Sequence, residues 1–143
     1  MSTSILRSVA AAALTGSFVF TAAAQTLPSQ ATVLAEAGKV ADYWIAHDPW
    51  LPGVASHNWT GSTLMNGYLA LFEMDGNQKY FNYASTWATH YSYTLNGSDT
   101  DTFCDHYACG ETFFILYKLT GSNDSTKIRH IKADIDYQTG LGS

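Results

Sequence analysis

Apolar positions recur along most of the chain at intervals of three and four, the period of a helix with one buried face. The first such stretch begins after Pro28 and Ser29, where Val33, Ala37, Val40 and Trp44 form a stripe flanked by Leu34, Ala41 and Ile45. It is expected to stop near Asp48-Pro49, because proline disfavours helical backbone at the residue before it. After a loop from Trp50 to Gly61, a second helix is expected from Ser62 to Asp75, with Leu64, Tyr68, Leu71 and Phe72 on one face. Gly76 follows where a left-handed C-terminal cap is wanted. A third helix, Gln78 to Tyr93, carries Tyr80, Tyr83, Ala84, Trp87 and Tyr91 on one stripe. The segment from Leu95 to Thr102, rich in Asn, Gly, Ser and Asp, reads as a loop. A fourth helix, Asp105 to Thr120, ends at Gly121, and a fifth, Asp124 to Tyr137, is expected to bury Ile128, Ile131 and Ile135. No strand pattern interrupts them, so the expected class is all-α.

Two of these stretches repeat. Leu69-Ala70-Leu71-Phe72-Glu73-Met74-Asp75-Gly76 lines up with Phe114-Ile115-Leu116-Tyr117-Lys118-Leu119-Thr120-Gly121 at an offset of 45 residues. Each is an apolar helix, a glycine, a polar turn and another helix. Such self-similarity marks an array of helical hairpins, in which every hairpin buries its face on its neighbours. The pattern supplies two hairpins and one leading helix, fewer than the roughly three units such arrays need, so the array is expected to be unfinished.

The first 24 residues stand apart. Arg7 precedes an apolar run from Val9 to Phe20, followed by Ala22, Ala23 and Ala24, the layout of a secretory signal peptide cleaved before Gln25. The run is shorter than the roughly 20 residues a membrane span needs, so no membrane partner is expected after cleavage. Secretion or export to a periplasm follows, with residues 25–143 as one domain. Cleavage removes Arg7 alone among the charged residues, leaving six basic against twelve acidic side chains. Nothing in that balance attracts a nucleic-acid backbone. Charged residues are 13% of the chain and aromatics 14%, which suits either a stacking pocket for a polar ring or simply an aromatic core. Cys104 and Cys109 would pair in an oxidising compartment only if Cys104 lay in a loop folded back on the helix bearing Cys109. No Cys-x-x-Cys or His-x-x-x-His spacing suggests a metal site.

The order of features from Asn58 to Asp136 carries a family likeness. Asn58-Trp59-Thr60 is followed by Gly67-Tyr68-Leu69-Ala70-Leu71-Phe72 and Gly76-Asn77-Gln78-Lys79-Tyr80. Then come Ala84-Ser85-Thr86-Trp87-Ala88 and Asp105-His106-Tyr107-Ala108-Cys109-Gly110-Glu111-Thr112, leading into Leu116-Tyr117. In this order the set resembles the unsaturated rhamnogalacturonyl hydrolases, glycoside hydrolase family 105, which are related to the unsaturated glucuronyl hydrolases of family 88. The resemblance implies the N-terminal part of an (α/α)6 barrel of helical hairpins, with substrate at one end. It also implies a substrate, an oligosaccharide with a 4,5-unsaturated uronic acid at its non-reducing end, left by a polysaccharide lyase. In that chemistry a carboxylic acid protonates the enol-ether double bond and activates water to add across it, and the hemiketal then collapses. One aspartate serves as acid and then base, and no cofactor or metal is implied.

Carried over residue by residue, Trp59 matches a tryptophan at the pocket entrance, where its indole would stack on the flat sugar ring. The competing reading is a core tryptophan. Asp105 matches an aspartate that hydrogen-bonds the sugar beside the main acid, and an N-cap role for the fourth helix is compatible with it. His106 would donate to the substrate carboxylate, although some relatives carry a second aspartate in this region. The aspartate that serves as main acid and base has no counterpart in residues 1–143. Asp134 and Asp136, on the outer helix of the last hairpin, are expected to be solvated, and the chain is expected to be a fragment. A non-catalytic helical-repeat protein and a non-catalytic sugar-binding protein remain the rival readings. The sequence leaves the oligomeric state open.

Overall fold

The computed structural model describes residues 27–47, 57–100 and 102–141. The expected signal segment and the loop centred on Pro52 lie outside them. Among the described residues there is no strand. The helices are α1 (Gln30–His47), α2 (Trp59–Asp75), α3 (Gln78–His90), α4 (Cys104–Tyr107), α5 (Cys109–Leu119) and α6 (Arg129–Gln138), with a 3-10 turn over Ser125–Ile128 before α6. The architecture is the expected one: all-α, with helical hairpins side by side as in part of an (α/α)6 barrel.

Asn58 caps α2, its side chain accepting from the N–H groups of Thr60 and Gly61, so the helix starts at Trp59, one turn earlier than expected. Gly76, at φ 72°, closes α2 in the left-handed conformation and hands the chain to Asn77, which caps α3. The two helices then pack antiparallel through Tyr68 on Tyr80 and Tyr83, and Phe72 on Phe81. α3 ends at His90, short of Tyr93, because Ser92 and Tyr93 turn to positive φ.

The expected fourth helix is divided at Ala108. In an unbroken helix the carbonyl of His106 would bond within the helix. Instead it accepts from the Asn96 N–H at 2.8 Å, while the Ala108 carbonyl accepts from the Ser62 hydroxyl at 2.9 Å. A long-range partner has taken the His106 carbonyl that continuous helix would use, while the Ala108 carbonyl also accepts from the Glu111 N–H at 3.3 Å as α5 begins.

The core lies where α2, α3 and α5 meet. Trp87, Tyr68, Tyr80, Phe113, Met65, Leu69 and Leu116 are fully buried, each such apolar side chain contributing about 1.5–3 kcal/mol. Trp87 of α3 reaches Phe113 of α5 with ring centroids 5.8 Å apart.

Three expectations about faces fail. On α1 the structure buries Ala41 and leaves Val33, Val40 and Trp44 half-exposed or more. The smaller residues won because they admit close approach, as the Tyr80 hydroxyl within 3.2 Å of a Cβ built on Gly38 shows. On α6, Ile135 is exposed while Asp134 is buried at 2% exposure, the reverse of what was expected of both. The 3-10 turn before α6 rotates the helix relative to a continuous one, and this exchanges the faces. Asp136 is only part-buried and pairs with Lys132. Finally, Cys104 and Cys109 are both free thiols: Cys104 is exposed and Cys109 is buried.

Candidate functional site

Two apolar helices cannot bring hydroxyls together by chance, and the contact between α2 and α5 is polar at its N-terminal end. The Ser62 and Thr112 hydroxyls lie 2.9 Å apart, both buried. Thr112 donates onward to Asn66 Oδ1 at 2.7 Å, and Asn66 Nδ2 donates to Glu111 at 2.8 Å. This seam sets the first turns of α2 and α5 side by side. Trp59 is the first residue of α2, and Asp105 and His106 sit in α4, immediately before α5. The three residues taken from the sequence therefore share one end of the helix layer.

Their settings differ. Trp59 is 52% exposed and lies outside the core formed by the described residues. Asp105 is part-buried and is not the N-cap, since that position belongs to Phe103, which makes no side-chain cap bond. Its carboxylate takes a weak contact from the Cys104 thiol at 3.7 Å and, among the described residues, has no cationic partner. It is left to accept from an incoming hydroxyl. The His106 ring meets Phe103 edge-on, centroids 5.0 Å apart.

Sequence reasoning passed over His57. It lies two residues before Trp59, stacked on Tyr91 with centroids 4.1 Å apart and planes at 24°. Burial holds its pKa below the ordinary 6.5, and a hydrogen bond to the Leu95 backbone works against that shift. Burial also raises the Tyr91 hydroxyl. Nothing in the sequence flagged His57, because it belongs to no periodic stripe and its partners are more than 30 residues away. Cys109 is buried in the core, its thiol directed at the carbonyls of His106 and Thr94 and pushed up by burial to about 11.

A concavity lies between α5 and α6, lined by Gly110, Phe114, Ile128, Ile131, Asp134 and Ile135. Asp134 Oδ1 is buried there without a hydrogen-bond partner.

An exposed indole, an available carboxylate and an imidazole at one end of a hairpin layer can receive a flat, hydroxylated, acidic ring: the indole by stacking, the others by hydrogen bonds. Comparison with known proteins bears on which ring. No curated protein and no solved structure matches the chain. The family model described as Glycosyl Hydrolase Family 88 matches residues 36–140, spanning α1 through α6 and all three residues above. The match supports the family 88 side of the resemblance. On that match, over most of its length, the chain belongs to Glycosyl Hydrolase Family 88.

Proposed function

We propose that this end of the chain binds a 4,5-unsaturated uronic acid at the non-reducing end of a lyase-derived oligosaccharide, of the unsaturated rhamnogalacturonyl or glucuronyl type. In this reading Trp59 is the stacking platform, Asp105 the supporting carboxylate that accepts from sugar hydroxyls, and His106 a donor to the substrate carboxylate. The carrying observation is the 52% exposure of Trp59 at the helix end where α2 meets the start of α5. Residues 25–143 work as the exported domain once residues 1–24 are removed, in a secreted or periplasmic setting. In this reading residues 1–143 supply binding and support, and none of them is assigned the part of the acid that protonates the enol ether.

The test is a fluorescence titration with an unsaturated galacturonyl-rhamnose disaccharide, an unsaturated glucuronyl disaccharide and a saturated control. Saturable quenching by an unsaturated ligand is expected, with W59A weakening it by roughly tenfold, in line with loss of an aromatic contact. Loss of the conjugated-acid absorbance should be negligible, since a positioned acid is worth about 10²–10⁴-fold. Equal binding of saturated and unsaturated sugars would leave a general sugar-binding protein, and no binding at all would overturn the proposal.

A further inference from the structure

The segments bearing Trp59 and Asp105 are joined through His57. Its Nε2 is buried without a partner, so Nδ1 makes the bond to the Leu95 backbone. That bond favours the protonated ring, which identifies the Leu95 carbonyl as the acceptor and puts the proton of the neutral ring on Nδ1. The next residue, Asn96, donates its N–H to the His106 carbonyl at 2.8 Å, and His106 follows Asp105 in α4. At the other end Asn58 caps α2 and fixes the backbone between His57 and Trp59. A continuous path therefore runs from Trp59 through His57, Leu95, Asn96 and His106 to Asp105.

We propose that His57 is a positioning residue: through its stack on Tyr91 and its bond to Leu95 it holds the Trp59 platform in register with Asp105, and protonation of its buried Nε2 releases that register. The inference rests on the roles given to Trp59 and Asp105 under Proposed function. Protonation would create an N–H with nothing to accept it. The groups around the ring are Tyr91 from α3, with His90 edge-on to Tyr91, Leu95 and Asn96 from the following loop, Asn58 and Trp59 from α2, and His106 of α4 beyond Asn96. None of these is a carboxylate, and burial and Leu95 alone shape the titration. Among the described residues a charged His57 thus has no counter-ion where it sits. The ring leaves for water, and the stack and the bond part together.

The experiment uses the full chain labelled with 15N, with the Trp59 indole signal assigned through W59F. At neutral pH the His57 shifts should show the Nδ1–H tautomer. On acidification the Trp59 signal should move with the midpoint of His57, below 6.5. His57→Gln keeps a side-chain N–H for Leu95 but cannot titrate there. Its Trp59 signal should stay near the parent position and lose the pH response. His57→Phe keeps the stack and removes the orphan nitrogen, so the fold is retained. Its Trp59 signal should shift, and affinity for the unsaturated disaccharide should fall by roughly tenfold, the scale of one lost hydrogen bond. A Trp59 signal in His57→Phe that coincides with the parent overturns the proposal. If that variant fails to fold, a Trp59 signal that still follows the same midpoint in His57→Gln overturns it instead. A parent chain that binds no disaccharide while Trp59 still tracks His57 sinks the sugar reading and supports the positioning link.

Discussion

The Tyr80 hydroxyl donates to Asp42 at 3.0 Å, and Lys79 reaches the same carboxylate at 2.5 Å, tying the start of α3 to α1. The Lys79 hydrogen bond holds Asp42 below its ordinary 3.8, with Tyr80 adding to it and burial opposing. A depressed carboxylate stabilises the fold above its unfolded value and loses that contribution as pH falls through the folded one. The parent chain should therefore exceed Asp42→Asn in Tm at neutral pH, and the gap should close below 3.8. Thermal melts at stepped pH check this, and a gap independent of pH would refute it.

Alkylation should separate the two cysteines. Cys104 is exposed, whereas Cys109 is buried with its thiol pushed up to about 11, and only the thiolate reacts. Iodoacetamide at pH 8 should label Cys104 in the folded chain and Cys109 only after denaturation, as read by peptide mass spectrometry. Label on Cys109 under native conditions would mean that the core at α5 opens readily.

How much of this was visible beforehand depended on distance along the chain. Gly76 and Gly121 announced their left-handed caps because a cap is decided by a few adjacent residues. The α3 stripe was legible because packing there follows helical period, whereas on α2 only Tyr68 of the expected face is fully buried, joined by Met65 and Leu69. The α1 stripe misled, since Val33, Val40 and Trp44 satisfy the period as well as Leu34, Ala41 and Ile45 do, and tertiary approach at Gly38 made the choice. Asp134 misled because the four residues of 3-10 backbone over Ser125–Ile128 rotate everything after them. Of the site, Trp59 and Asp105 came from motif order. His57 did not, because its partners Tyr91 and Leu95 meet it only once α3 has folded back.

Gly110 should resist any side chain. A Cβ there would stand 2.4 Å from Ile131 Cδ1 and 2.7 Å from Cγ1. Gly110→Ala should cost about 1–3 kcal/mol, as overpacking does. Ile131→Ala added to it should recover part of the loss, giving non-additivity in a urea-denaturation cycle. Additive losses would place the strain elsewhere.

Asp134 invites the opposite change. Its Oδ1 is buried without a partner beside Ile131 and Ile135. Asp134→Leu should raise stability by about 1–3 kcal/mol, the cost of leaving such a group unsatisfied. A lowered Tm would show that the carboxylate is held by something it needs.

The seam between α2 and α5 has a mechanical meaning as well. Apolar contacts are non-directional and fix the sliding of one helix along another less sharply than hydrogen bonds do. Ser62, Thr112, Asn66 and Glu111 do not permit that sliding: a slip of one residue, about 1.5 Å along the axis, lengthens the bonds from Ser62 to the Ala108 carbonyl, Thr112 to Asn66 and Asn66 to Glu111 at the same time. The hydroxyls thus act as a detent, turning a smooth coordinate into one with a single notch, and that notch keeps the end carrying Trp59 level with the end carrying Asp105.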